Sequence, residues 1–288
     1  AWSCLISCII TRAKFVTTFH GIYNFSNQLK KFYNSVMVRS NLVIAGSNYV
    51  FDHIHKNYGQ LLDSKKRLLV IFRGINTEYF DNSNITTNKV RELQKLLNLK
   101  SEKFTILLPG RLTKWKGQEI FIEALNLLRE KYKKKDFQAI ILGSHQGRKV
   151  YYKKLISMVE KYRLKNDVFF LQHFKDMPVA YYSSDLVVSS SIEPEAFGRI
   201  SVEAQAMRRP ILASDHGGSI ETIINGKSGF LFKNNNVQSL AEEINSIIET
   251  DKDKLQSIGN EGRKNILKKF DVEKMCYSTF LEYKKLIK

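Results

Sequence analysis

Two carboxylates and the turn between them are the residues best suited to chemistry in this chain. Glu195 and Glu203 flank a turn at Ala196-Phe197-Gly198, and an apolar-periodic helix begins directly after it. Backbone N–H groups at the start of a helix stabilise anions, while carboxylates accept hydrogen bonds from hydroxyl groups. The combination predicts a site for a sugar that carries a diphosphate.

The spacing of the two carboxylates assigns them different positions. Seven residues separate them, but Pro194 and Gly198 make the first part a loop, so Glu195 should lie in the loop and Glu203 one turn into the helix. Each could accept hydroxyl hydrogen bonds from a ribose or hexose. The alternative is a capping carboxylate followed by an exposed helix charge. Arg199 faces either phosphate or solvent, and the sequence leaves this open.

A second candidate loop runs from Leu108 to Gly117 and follows a predicted strand. Ligands of open α/β sheets bind at the carboxyl ends of the strands. Gly110 permits close backbone approach, and Arg111 and Lys116 bring two cations suited to a diphosphate. The alternative is a solvated basic turn.

His20 is a third candidate, because it follows a β-rich run at Lys14–Phe19 and precedes Gly21. At such a position it could hydrogen-bond a sugar from the opposite domain. A structural histidine whose hydrogen bonds are satisfied within the protein is the competing interpretation.

Alternating strands and helices position these residues and predict parallel βαβ units. Residues 90–268 should form a doubly wound domain, with the strands Thr105–Leu108, Gln138–Leu142, Val168–Leu171, Leu186–Ser189, Ile211–Ala213 and Phe230–Phe232. Residues 1–80 show about three strands and no glycine-rich first strand–turn–helix, so we expect a Rossmann-like domain whose front is missing. Residues 270–288 should form a final amphipathic helix. The polar stretch Asp81–Lys89 is predicted to be the boundary.

Composition limits the function classes. The 288 residues are 43% hydrophobic and carry 46 Lys and Arg against 28 Asp and Glu, for a net charge of +18. This charge favours either a general basic surface, which would help peripheral docking at an anionic membrane, or a nucleic-acid stripe. No nucleic-acid module pattern accompanies it, so no nucleic-acid partner is expected. Three dispersed cysteines and no signal or membrane-spanning pattern predict a cytoplasmic protein.

Metal chemistry is not indicated by the sequence. Zinc-ligand spacing, a Walker loop and a nucleophilic serine elbow are all missing from it. Asp251-Lys-Asp253 has the spacing of an acidic pair, but we expect it to be solvated surface outside any strand end.

Taken in order, six segments resemble the family-four retaining glycosyltransferases (glycosyl transferases group 1), which have two Rossmann-like domains in the GT-B fold. The resemblance covers nearly the whole chain and is specific from Thr105 to Phe232. It is carried by TFHG (Thr18–Gly21), SNYV (Ser47–Val50), GRLTKWKG (Gly110–Gly117), EPEAFGRISVEAQAM (Glu193–Met207), GG..E (Gly217–Glu221) and NGKSGFLF (Asn225–Phe232).

The resemblance implies roles for the candidate side chains. Arg111 and Lys116 would hold the diphosphate of a nucleotide sugar, with Gly110 beside it. Glu203 would bind the ribose hydroxyls and Glu195 those of the donor sugar. His20 would contact that sugar from the first domain.

The resemblance also implies backbone and nucleobase contacts. The N–H groups of Phe197, Gly198 and Arg199 would meet the sugar or phosphate, and Gln172 and His173 would frame the base. The acceptor hydroxyl would attack from the face that the diphosphate leaves, so configuration is retained. Neither a metal nor another cofactor is required.

The resulting hypothesis is a hexosyltransferase-like enzyme (EC 2.4). It would move a sugar from a nucleotide donor to an envelope glycan or lipid-linked acceptor in lipopolysaccharide or polysaccharide synthesis, on the inner face of the cytoplasmic membrane. A truncated, inactive remnant that still binds nucleotide sugar is the first alternative. A basic nucleic-acid-binding protein is the second.

Overall fold

The computed structural model describes residues 1–23, 25, 27–62 and 67–287 and contains two parallel β-sheets. The first sheet has the order β1-β2-β3. We call this sheet and its flanking helices the first domain. Its described elements are α1 (Trp2–Thr11), β1 (Val16–Phe19), α2 (Gln28–Asn34), β2 (Leu42–Ala45), α3 (Asn48–Tyr58) and β3 (Arg67–Val70).

The second sheet has six strands in the order β6-β5-β4-β7-β8-β9, and we call it with its helices the second domain. All of its pairings are parallel. Chain order therefore reverses between β4 and β7, which is the switch point where doubly wound sheets bind ligands. The strands are β4 (Phe104–Pro109), β5 (Phe137–Leu142), β6 (Val168–Leu171), β7 (Leu186–Ser189), β8 (Ile211–Ser214) and β9 (Phe230–Phe232).

Helices cover both faces of the second sheet, which explains why its central strands are continuous apolar runs rather than alternating ones. Every residue of β5, β7 and β8 is buried. The helices of this domain are α4 (Thr87–Leu97), α5 (Gln118–Glu130), α6 (Lys149–Lys161), α7 (Met177–Tyr182), α8 (Arg199–Ala206), α9 (Ser219–Thr222), α10 (Val237–Glu249) and α11 (Lys252–Lys269). A last helix, α12 (Val272–Ile287), follows the domain.

The acidic pair Asp251-Lys-Asp253 is exposed, as expected, and it forms the start of helix α11. The Asp251 carboxylate caps the helix by accepting hydrogen bonds from the backbone of Asp253 and Lys254. Further along, the buried Arg263 donates to the Phe80 carbonyl oxygen at 2.6 Å, which ties α11 to the interdomain linker. The acidic pair is thus a helix start, and the segment has a buried face.

The boundary between the domains ends earlier than the predicted stretch at residues 81–89, because α4 begins at Thr87. After the second domain, α12 returns to the first. Met275 and Leu286 pack beside a small cluster formed by β2 and Ile71. Arg67 and Glu282 form an ion pair at 2.7 Å. Across the described residues, none of the helices combines the length and apolarity that crossing a bilayer requires.

Candidate active site

The loops that follow β4 and β7 meet at the switch point of the second sheet. Ile192 donates from its backbone N–H to the Trp115 carbonyl oxygen at 2.8 Å, and the Ser190 hydroxyl donates to the Gly117 carbonyl oxygen at 3.0 Å. Gly117 has a φ of +70°, and a Cβ on it would lie 1.9 Å from the Ser190 carbonyl oxygen. Only glycine allows this approach, so the two candidate loops form one structure.

An ion pair joins the two loops. The Lys116 ammonium contacts Oε1 of Glu195, and their side chains are only 12% and 14% exposed. The Ser191 hydroxyl donates to the same carboxylate oxygen at 2.6 Å. A cation and a carboxylate are therefore held side by side at the carboxyl end of the sheet.

The glycine pair Gly217-Gly218 supports the turn that carries Glu195. The Gly218 N–H donates to the Glu195 carbonyl oxygen at 2.7 Å. A Cβ on Gly218 would lie 2.5 Å from the Phe197 Cα, and Gly217 approaches the Glu195 backbone from a φ of +59°. The pair lies behind the turn and fixes its backbone against the start of α8.

Glu203 lies on α8 and is almost fully buried. Its Oε1 accepts a hydrogen bond from Arg199 Nε at 2.5 Å, and its Oε2 accepts one from the Tyr181 hydroxyl at 2.8 Å. Burial, and then the Glu203 charge, raise the pKa of Tyr181, so its hydroxyl remains a donor. Arg199 thus pairs with Glu203, although 71% of its side chain stays exposed and available to a ligand.

A cleft of about 400 Å³ opens between the domains above the first ion pair. His20 and Gly21 line it from the first domain, and Arg111 and Glu195 line it from the second. The structure therefore brings three of the predicted catalytic side chains to one cleft, with Lys116 paired to Glu195 beside it. Gly110, which has a φ of +146°, lies where a Cβ would be 3.6 Å from the Lys116 side chain.

A second cleft of about 440 Å³ contains Arg199 and Glu203, with Phe197 at its wall. Lys175 lines it from the loop after β6, and Arg73 lines it from the first domain. Its cations outnumber its single carboxylate, so the cleft favours an anionic ligand. Gln172 and His173 lie at the end of β6, and neither lines this cleft or the first one.

Arg73 also influences His20. Burial, and then the Arg73 charge, lower the pKa of His20, so the imidazole is neutral at pH 7. The pKa of Arg73 is itself lowered by burial and by Arg199. Among the described residues, no carboxylate forms a salt bridge with Arg73. Gly46 makes room for it, because a Cβ there would lie 3.0 Å from the Arg73 Cγ.

Three contributors to the site were missed by the sequence analysis. Ser191 and Tyr181 hold the two glutamates, and Arg73 brings a cation from the first domain. Arg73 comes three residues after the end of β3, so its place after a strand was a usable signal. Tyr181 lies within a short helix and gave none.

Within the described part of the chain, no group of three or more His, Cys, Asp or Glu side chains is placed to hold a metal ion. Four cationic side chains line the two clefts against three carboxylates, and cations of this kind suit anionic groups of a ligand. The cations are Arg73, Arg111, Lys175 and Arg199, and the carboxylates are Glu193, Glu195 and Glu203. The metal-free mechanism stays a prediction.

Comparison with known proteins gives one family. The family model described as glycosyl transferases group 1 matches residues 89–265. The capsular polysaccharide biosynthesis glycosyltransferase CapM of Staphylococcus aureus is 28% identical over 238 residues, which are 79% of this chain and 60% of CapM. Spore coat protein SA of Bacillus subtilis is 30% identical over 67% of this chain and 52% of its own length. The chain thus spans little more than half the length of these relatives.

Solved structures agree with this family and with the fold. A glycosyltransferase from Rickettsia africae ESF-5 superposes with a TM-score of 0.89 at 36% identity, over 100% of this chain and 74% of that one. Anabaena Alr3699/HepE, solved in complex with UDP and glucose, has a TM-score of 0.84 at 27% identity, over 97% of this chain and 73% of its own. The two parallel sheets therefore correspond to the two Rossmann-like domains of a GT-B glycosyltransferase.

Proposed function

The chain belongs to the glycosyl transferases group 1 family, and from this premise we propose that it transfers a sugar from a nucleoside diphosphate donor. The observation that carries the proposal is the convergence of Arg111, Lys116 and Glu195 at the switch point, facing His20 of the first domain. Basic side chains beside a carboxylate are complementary to the diphosphate and the sugar of such a donor. The cations suit the diphosphate and the carboxylate suits sugar hydroxyls.

The proposed mechanism relies on stabilising the leaving group. Negative charge grows on the diphosphate as the glycosidic bond breaks, and preorganised cations lower the energy of that state. Arg111, Lys116 and the backbone N–H groups at the start of α8 supply this stabilisation from the second domain. Arg73 adds a cation from the first domain, because it lines the cleft that also contains Arg199.

The remaining side chains orient the donor. Glu195 accepts hydroxyl hydrogen bonds from the transferred sugar, and Glu203 accepts them from the ribose. Neutral His20 contacts the sugar from the opposite side without adding a charge. Gln172 and His173 frame the base beyond the second cleft, and the N–H groups of the turn before α8 meet the phosphate.

The acceptor hydroxyl oxygen bonds to the anomeric carbon on the face that the diphosphate leaves, and its proton passes to the departing phosphate oxygen. The configuration at the anomeric carbon is therefore retained. An envelope glycan or a lipid-linked saccharide is the proposed acceptor, in capsular or lipopolysaccharide synthesis. The similarity to a capsular polysaccharide glycosyltransferase supports this class. The net charge of +18 supports work at the inner face of an anionic membrane in the cytoplasm.

Calorimetry followed by a transfer assay tests the proposal. We expect one of UDP, GDP and ADP to bind to the protein without added metal, and the matching sugar nucleotide to be turned over. Arg111→Ala should reduce turnover about a hundredfold, since removing one charge-stabilising donor typically costs that much. Lys114→Ala is the matched control, because Lys114 is an exposed lysine of the same loop. Equal loss in both variants, or binding of no nucleotide, would refute the assigned site.

A second candidate is a protein that binds nucleotide sugar without transferring it. The first sheet favours it, because it contributes three strands within the described residues against six in the second sheet. The described part of the first domain thus offers a smaller surface for an acceptor than the second domain offers for a donor. Nucleotide binding without hydrolysis or transfer across a panel of sugar nucleotides would support this alternative over the enzyme.

A further inference from the structure

The first domain holds the second through a carboxylate that none of the proposed donor contacts uses. Glu221 lies on α9, three residues after the glycine pair that supports the Glu195 turn. Its Oε2 accepts hydrogen bonds from the backbone N–H of Asn48 at 2.8 Å and from the Asn48 side-chain amide at 2.9 Å. Its Oε1 accepts one from the Tyr49 N–H at 2.6 Å. These donors form the first turn of α3 in the other domain.

This contact is favourable because of where α3 begins. The first N–H groups of a helix have no partner within the helix, and the positive end of the helix dipole attracts a carboxylate. Ser47 already caps α3, since its hydroxyl accepts from the Val50 N–H at 3.1 Å. Glu221 satisfies the two preceding N–H groups from across the domain interface.

A second hydrogen bond links the start of α3 to the turn at Glu195–Gly198, which we call the donor-site turn. The Ser47 hydroxyl donates to the carbonyl oxygen of Ala196, the residue that follows Glu195, at 2.5 Å. The Ala196 side chain also packs beside the apolar cluster of the first domain, which includes Val50. The start of α3 therefore contacts both ends of one unit, the turn at Ala196 and the helix that carries Glu221.

We infer that Glu221 is a positioning residue that clamps the start of α3 onto the donor-site turn and so sets His20 opposite Glu195. This inference rests on the proposed function. It gives a role to the SNYV and GG..E segments, which the donor contacts leave unassigned. The clamp joins residues 173 positions apart in the chain, so it forms only when the two domains pack together.

Three measurements on Glu221→Gln and Glu221→Ala test the clamp. Hydrogen exchange at the Asn48 and Tyr49 amides should accelerate about tenfold, the effect of losing roughly 1.4 kcal/mol of protection. The dissociation constant for UDP should stay within about threefold, because the proposed cations that hold it lie mainly in the second domain. Turnover should fall about tenfold in kcat with little change in the donor KM, since the donor binds but His20 is misplaced.

The controls separate positioning from general instability. Glu261→Gln removes a surface ion pair with Lys264 on α11 and should leave all three measurements unchanged. Glu221→Asp keeps the charge at a shorter reach and should recover part of kcat. Unaltered exchange at α3, or faster exchange with unaltered kcat, overturns the inference. If the parent protein turns over no donor, the proposed function fails, while hydrogen exchange at the Asn48 and Tyr49 amides still decides whether the clamp exists.

Discussion

The ion pair between Lys116 and Glu195 gives the sharpest test, because it should serve both folding and turnover. Lys116→Met keeps an apolar stem of similar length and removes the charge. Glu195 would then keep the hydrogen bond from Ser191 but lose its cation in a site where both side chains are largely buried. Stability and activity should both fall, for different reasons.

The two losses have different sizes. Removing one partner of a fully buried pair costs about 3–5 kcal/mol, and the partial exposure here together with the remaining Ser191 bond reduces this to about 1–3 kcal/mol. For turnover, a lost cation at the leaving diphosphate should raise the barrier by about 3 kcal/mol, on the order of a hundredfold in rate. UDP affinity should fall about tenfold.

A double variant separates the two effects. Lys116→Met with Glu195→Gln leaves no unpaired charge, so its free energy of unfolding should return to within about 1 kcal/mol of the parent. Turnover should stay low, because neither the cation nor the carboxylate is present. Denaturant unfolding, UDP calorimetry and donor turnover would be measured on the parent, both single variants and the double, with Lys114→Met as control. Turnover within threefold of the parent in Lys116→Met refutes the assignment.

Three further predictions concern the residues around the ion pair. Gly117→Ala should lower the free energy of unfolding by about 2–4 kcal/mol in denaturant melts, because the residue has a positive φ and a Cβ would clash with the Ser190 carbonyl oxygen. A loss below about 0.5 kcal/mol would contradict this prediction. Tyr181→Phe should cost about 1.5–3 kcal/mol of unfolding free energy, because Glu203 loses a buried donor, and an unchanged melt would exclude this. Arg73→Gln should raise the pKa of His20 in an NMR titration yet leave it below 6.5, since burial, its larger cause, remains. An unchanged His20 titration in Arg73→Gln would contradict this prediction. Because the pKa of His20 is lower in the folded protein, the free energy of unfolding should decrease as the pH falls from 6.5 towards that folded pKa.

Much of the second domain could be predicted from the sequence because its strands are unbroken apolar runs. Such runs fit only a sheet covered on both faces, and a sheet of that type places its ligand loops at the carboxyl ends of the strands. The loops at Gly110–Gly117 and around Glu195 followed from this. Helix α11 could not be predicted in this way, because it is rich in lysine and buries polar residues such as Arg263, which hides its apolar face. Helix α4 was also not predicted.

The partners of the site residues were beyond prediction from the sequence. Arg199 pairs with Glu203 four residues on, but the second hydrogen bond to Glu203 comes from Tyr181 on a different helix. Arg73 approaches Arg199 only because the two domains pack together, and Glu221 reaches α3 for the same reason. Long-range contacts of this kind depend on the angle between the domains, which no local pattern encodes.

The sequence by itself determined the parallel sheets, the switch-point loops and the types of side chain that these loops carry. Those features arise from local hydrophobic patterns and from glycines that permit particular backbone turns. The tertiary structure decided which cation neutralises which carboxylate, and it set His20 and Arg73 against the second domain. Charges interact over distances of a few ångströms, so their partners are fixed only after distant segments have packed.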